Sequence, residues 1–207
     1  STAAHAAQAA EAIMTSDTQS KQVAVQFKLG GKTVRIGGMC KGAGMIQPGM
    51  SANGKRPAAI PLHATMLCFI TTDAAVDAKV LQAALREAVA NSFNRITVDS
   101  DMSTNDTVLV LANGLAGNRK FGVQSPAFGL FTAALSHICL ELARKIVRDG
   151  EGVSRFVTVR VNGARSFADA DAAGARLEAH GHAVLEHGFG QGRHVVERGG
   201  EATVNEG

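Results

Sequence analysis

The chain contains no tryptophan and no tyrosine, only four prolines and three cysteines, and no dense block of one charge in its 207 residues. Each scarcity excludes something. Single-stranded nucleic acid is usually held by aromatic rings interleaved with basic side chains, and that pattern is missing. The formal net charge of +3 is small and its lysines and arginines are scattered, so a nucleic-acid partner is not expected. Cys40, Cys68 and Cys139 are far apart and odd in number, with neither a Cys-x-x-Cys pair nor a Cys/His ligand spacing. No disulfide framework and no metal site are expected, and a reducing compartment fits. Cys68 and Cys139 sit inside apolar runs, where cysteine behaves as a small hydrophobe. No uninterrupted apolar run reaches the ~18 to 20 residues of a membrane span. The alanine-rich start, Ser1 to Ala12, lacks the basic first region of a signal peptide. These features predict a soluble intracellular protein without a membrane segment.

What is present is aliphatic and tightly turned. Hydrophobic residues make up 45% and glycine contributes 23 positions, which fits an α/β core in one domain of ordinary size or two small ones. Residues 3–14 read as a helix. Residues 23–29 alternate as a half-buried strand, Gly30-Gly31 signals a turn, and residues 33–36 return as the second arm of a hairpin. Gly37 to Pro48 reads as a glycine-rich loop. Residues 67–71 and 106–112 are continuously apolar, as in strands buried on both faces. Residues 77–93 and 128–147 carry apolar residues at helical spacing, and 156–161 alternates as a strand. Strands interleaved with two long helices predict a layered α+β domain.

Five blocks carry residue types suited to chemistry. Ala64-Thr65-Met66-Leu67-Cys68-Phe69-Ile70 sets a threonine, behind a small residue, at the start of a strand. A threonine hydroxyl is a poor nucleophile without a base. An N-terminal threonine brings its own, since its α-amine has an ordinary pKa of about 7.7 to 8.0. Lys41-Gly42-Ala43-Gly44-Met45 puts a lysine among glycines that let backbone approach a ligand, and lysine can pair with a carboxylate there. Met14-Thr15-Ser16-Asp17-Thr18 is, on its residues alone, a capping or turn cluster, and Asp149-Gly150-Glu151-Gly152 is an ordinary helix stop that also offers a carboxylate for an ammonium group. Ser103-Thr104-Asn105-Asp106-Thr107 reads as a scaffold turn, and His63, next to Thr65 in sequence, as a weak candidate for a base.

Together, in the family's order along residues 5–165, these blocks resemble the glutamate N-acetyltransferase (ornithine acetyltransferase) family of arginine biosynthesis. The resemblance implies an α-β-β-α sandwich and self-cleavage between Ala64 and Thr65, with the freed Thr65 as nucleophile. It implies transfer of acetyl from N-acetylornithine to glutamate through a Thr65 acyl-enzyme. Thr18, Lys41, Thr65 and Glu151 would bind substrate, with no cofactor; use of acetyl-CoA is left open. It further implies α and β chains joined as an α2β2 heterotetramer, in the cytoplasm, or in the mitochondrial matrix or plastid of a eukaryote.

The chain also departs from the family pattern. Residues 51–63, with Pro57, Pro61 and Gly54, intervene just before the implied cleavage point and read as a loop. After Ala172 the sequence turns to Gly, His, Arg and Glu without helical or strand period, and the family's Asn-Trp-Gly-Arg signature and terminal substrate-binding asparagine are not found. The family's upstream Thr-Gly pair, which forms its oxyanion hole, is not present either, and Arg155 stands where the family has lysine. The expected division is therefore 1–64 as the end of an α chain with the insert, 65–172 as the start of a β chain, and 173–207 as an irregular tail, the sandwich being incomplete at both ends. Two other readings stay open: a related self-processing amidohydrolase or aminopeptidase, and an inactive fragment or paralogue.

Overall fold

Val23, Val25, Phe27 and Leu29 point one way and Gln22, Ala24, Gln26 and Lys28 the other, and that alternation forms strand β1 (Lys21–Leu29). The same phase puts Lys21 on the inward face. Gly30 and Gly31 both take positive φ (57° and 80°), the geometry a two-residue hairpin turn needs. The chain returns as β2 (Lys32–Lys41), antiparallel to β1. The computed structural model describes residues 2–50, 65–161, 165–166, 169, 183–187 and 195–198.

The expected hairpin is present, but its second arm runs five residues further than its sequence pattern. Gly37 and Gly38 continue β2 instead of opening a loop, because the strand is paired on both edges, with β1 and with β3 (Leu67–Thr72). Gly38 has a packing reason as well: a Cβ there would lie 3.0 Å from Leu142 and 3.2 Å from both Ile138 and Ile70. Glycine in this strand marks a close approach by another element. Lys41 is therefore the last residue of a strand, not a loop residue.

β3 is joined through helix α2 (Ala78–Ala90) and the two-residue strand β4 (Ile96–Thr97) to β5 (Thr107–Ala112), which lies parallel to β3. A parallel pair requires such a crossover. The sheet order is β1-β2-β3-β5. Helix α3 (Pro126–Arg148) begins with the Ser125 hydroxyl accepting from the Ala127 amide and with proline in the first turn, a favourable start. Its stripe of Phe131, Leu135, Ile138, Leu142 and Ile146 is fully buried against β1, β2 and α2. Both long helices fall within a few residues of the ranges their periodicity predicts, and α1 (Ala3–Ala12) stands where an N-terminal helix was expected. By length and composition α3 would also suffice to cross a membrane, although polar residues interrupt its apolar ones; here its apolar stripe covers the sheet.

The described helices cover one face of the sheet. In β3, Cys68, Ile70 and Thr72 are buried while Thr71 is exposed; in β5, Val108 and Val110 face the core while Leu109 and Leu111 are exposed. Burial of these two strands on both faces is thus not found, although their composition suggested it. The three cysteines are free and buried, and burial pushes the Cys40 and Cys139 thiols up to about 12. A second sheet has the order β4-β7-β6-β8, built from β4, β6 (Val157–Val161), β7 (Ala183–His187) and β8 (Val195–Arg198). The region read as an irregular tail thus holds two strands, too short among glycine and histidine to show a period. The α+β class is borne out.

Candidate functional site

The site begins where β2 and β3 pair. Their register sets Lys41 opposite Leu67, two residues from Thr65, and the parallel register of β3 and β5 sets Thr107 opposite Leu67. Asp106, one residue before β5, is thereby delivered to the residues just before β3. The Met66 amide donates to Asp106 Oδ1 at 2.9 Å and the Thr65 hydroxyl donates to the same oxygen at 3.3 Å. The second contact is long for an O–H···O bond, as catalytic hydrogen bonds often are before the reacting geometry closes. Asp106 Oδ2 is buried with no hydrogen-bond partner among the described residues. Burial pushes the carboxyl up to about 6, against the opposing pull of the Met66 amide, the Thr65 hydroxyl and the Lys41 ammonium. Lys41 is itself buried, and among the described residues no carboxylate forms an ion pair with it.

The glycines after Lys41 hold the next loop against this point. Gly42 has φ of 144°, and a Cβ on it would lie 3.0 Å from Ile46 and 3.5 Å from the Met66 backbone. Asp99 accepts from the Met45 and Ile46 amides, and Asn94 exchanges two 3.0 Å hydrogen bonds with Met50. Over this loop lies Glu151. Its amide donates to the Ala43 carbonyl at 2.7 Å, and its carboxyl group lies 2.9 Å from where a Gly44 Cβ would be. Any side chain at 44 would displace that carboxyl.

Thr18 is drawn to the same place by Asp149. The Thr18 hydroxyl and amide and the Gln19 amide all donate to the Asp149 carboxylate. Lys21, 1% exposed, forms ion pairs of 2.5 Å with both Asp17 and Asp149, and Asp17 also accepts from the Gly42 amide at 2.7 Å. Burial alone would raise both carboxyls. The Lys21 ammonium, aided by Gly42 and Thr15 at Asp17 and by Thr18 and Gln19 at Asp149, outweighs it and leaves both below the usual carboxylate range.

Four of the residues singled out from sequence, Thr18, Lys41, Thr65 and Glu151, thus belong to segments tied to one another by hydrogen bonds, ion pairs and strand pairing. Ala64, the insert 51–63 and His63 lie outside the described residues. Asp17, Lys21, Asp99 and Asp106 were missed as site residues. Lys21 did leave a signal, a lysine in the inward phase of an alternating strand. Asp106 left none, because only the β3–β5 register brings it to Thr65.

The ArgJ family model matches residues 1–180. The chain belongs to the ArgJ family. Relatives of this ArgJ chain include the arginine biosynthesis bifunctional protein ArgJ of Symbiobacterium thermophilum, 54% identical over 164 residues, which are 79% of this chain and 38% of that protein. The glutamate N-acetyltransferase of Methanocaldococcus jannaschii is 51% identical over 164 residues, covering 78% of this chain and 37% of the relative. This chain therefore spans well under half the length of the curated ArgJ relatives it matches. The crystal structure of the arginine biosynthesis bifunctional protein argJ from Bacillus halodurans is 38% identical, with a TM-score of 0.47 over 52% of this chain and 51% of that one.

Proposed function

We propose that the full-length protein is an acyltransferase of arginine biosynthesis that moves acetyl from N-acetylornithine to glutamate through an ester on Thr65. Self-cleavage between Ala64 and Thr65 releases the α-amine of Thr65, which then serves as base for the adjacent hydroxyl. Residues 1–64 and 65–172 are then parts of an α and a β chain, held in an α2β2 assembly in the cytoplasm. The observation that carries the reading is that Asp106, at the β5 end, accepts from the Thr65 hydroxyl while a buried lysine of β2 acts on it electrostatically, in a chain of the ArgJ family. Support also comes from the relatives, the Symbiobacterium protein being named for arginine biosynthesis and the Methanocaldococcus protein as a glutamate N-acetyltransferase.

In this scheme Lys41 and Glu151 grip the ends of the amino-acid substrates, Lys41 a carboxylate and Glu151 an ammonium, and Thr18 contributes to the same site. The test is acetyl transfer by the full-length protein from N-acetylornithine, with and without glutamate. A transferase forms N-acetylglutamate only when glutamate is present, whereas release of free acetate at one rate in both conditions assigns a hydrolase instead. Glu151→Gln should raise KM by roughly 10- to 150-fold, the loss of one charge-assisted hydrogen bond of about 1.5–3 kcal/mol, while leaving self-cleavage intact. Equal loss of cleavage would make Glu151 a structural residue.

A further inference from the structure

The α-amine of Thr65 cannot be the base for the first cut, because in the intact chain that nitrogen is an amide and carries no basic lone pair. Another group must take the hydroxyl proton. We propose that Asp106 is the base that activates the Thr65 hydroxyl for self-cleavage, an inference that rests on the self-cleavage reading above. Asp106 is the carboxylate that accepts the Thr65 hydroxyl. Its position is fixed by a second hydrogen bond, from the Met66 amide to the same oxygen, and by Thr107, whose amide donates to the Met66 carbonyl at 3.0 Å. Its other oxygen is buried and unpartnered among the described residues, so nothing there competes for an incoming proton. A carboxylate of ordinary basicity takes such a proton poorly near neutral pH. Burial lifts this one to about 6, closer to the working range.

The step balances as follows. The Thr65 Oγ proton passes to the Asp106 carboxylate as Oγ bonds to the Ala64 carbonyl carbon. The proton then passes to the Thr65 nitrogen as the Ala64–Thr65 C–N bond breaks, leaving an ester on Oγ and a free α-amine. Water hydrolyses the ester and restores the Thr65 hydroxyl. From then on the amine can serve as base, and Asp106 is left to orient the hydroxyl. Lys41, at the end of β2, acts on Asp106 through its charge; it favours the carboxylate form and so keeps the base available as pH falls.

The experiment follows cell-free synthesis of the full-length protein and measures conversion of intact chain to two fragments between pH 5 and 8. Wild type, Asp106→Asn, Asp106→Glu and Thr65→Ala are compared, each checked for folding by its thermal transition. Wild-type conversion should fall about tenfold per pH unit below about 6. Asp106→Asn, which keeps an acceptor for the Met66 amide but no base, should cut about 100-fold or more slowly, and Asp106→Glu should recover part of the rate. Cleavage of Asp106→Asn at the wild-type rate, with Thr65→Ala intact, would overturn the assignment of the base while sparing the nucleophile. A wild-type rate that is flat from pH 5 to 7 overturns it even where Asp106→Asn fails to fold. If wild type stays as intact as Thr65→Ala, the self-cleavage reading falls and this inference falls with it.

Discussion

Lys21 is the least expected residue of the site, an ammonium group 1% exposed between two carboxylates. Burying three charges is costly, and the arrangement is stable only while all three are present. Lys21→Met should therefore lower stability at pH 7 by about 3–5 kcal/mol, because it strands Asp17 and Asp149 without their cation. The pH dependence distinguishes this from a simple packing defect. In the intact cluster both carboxyls lie below their ordinary value, so their contribution is complete above about pH 3.9 and is lost as pH falls through the depressed folded values. Without Lys21 the dominant effect on each carboxyl is burial, which raises it, so mild acid relieves the variant by protonating what it cannot pair. Denaturant midpoints at pH 7 and pH 5 should show the gap between wild type and variant narrowing at pH 5. A constant gap would mean that the carboxylates are not the source of the loss. The cluster also fixes Thr18, through Asp149, and Gly42, through Asp17, so its loss should weaken substrate binding as well as stability.

At the scale of elements, the sequence was most legible where one periodic face met one partner. The stripe of α2, the stripe of α3 and the alternation of β1 were readable because each element buries a single face. Legibility failed where neighbours overrule local preference. Gly37-Gly38 is a breaker by composition, yet it continues β2 because strands flank it on both sides and α3 presses on it from above. The apolar runs of β3 and β5 suggested two-sided burial, yet Leu109 and Leu111 lie open on the face that no described helix covers. Gly38→Val tests the first of these. Its side chain would have to enter space within about 3 Å of Leu142, Ile138 and Ile70, and overpacking of this kind costs about 1–3 kcal/mol. The thermal transition should drop accordingly, and because Lys41 ends the same strand, self-cleavage should slow with it. An unchanged transition would mean that α3 does not lie on β2 at this point.

For the molecule as a whole, the Ala64–Thr65 bond lies between elements that remain interlocked. β1 and β2 come before it; β3, α2, β5 and α3 come after. Yet β2 pairs with β3 over Ile36–Lys41 and Leu67–Thr72, α3 packs on β1 and β2, and Lys21 bridges to Asp149. A cut there leaves the sheet, the core and the ion cluster intact. The two pieces should therefore co-elute in native buffer and separate only in denaturant, with a single cooperative unfolding transition. Pieces that part in native buffer would show that the β2–β3 pairing does not hold them. The likeness of the candidate-site blocks to a known family was legible from short motifs, whereas Asp106 was not, since its meeting with Thr65 depends on a parallel register between strands about forty residues apart.

The central claim is that Thr65 is a nucleophile released by the protein's own cleavage, and the mass of the purified full-length protein together with the N-terminal sequence of its fragments tests it most directly. The account predicts two fragments, the second beginning Thr65-Met66-Leu67-Cys68, and a single intact chain for Thr65→Ala. Proline and glycine in residues 51–63 would slow this maturation by loosening the approach to the bond, and deleting 51–63 should speed it. An intact wild-type chain, with and without that deletion, or the same two fragments from Thr65→Ala, would contradict the account.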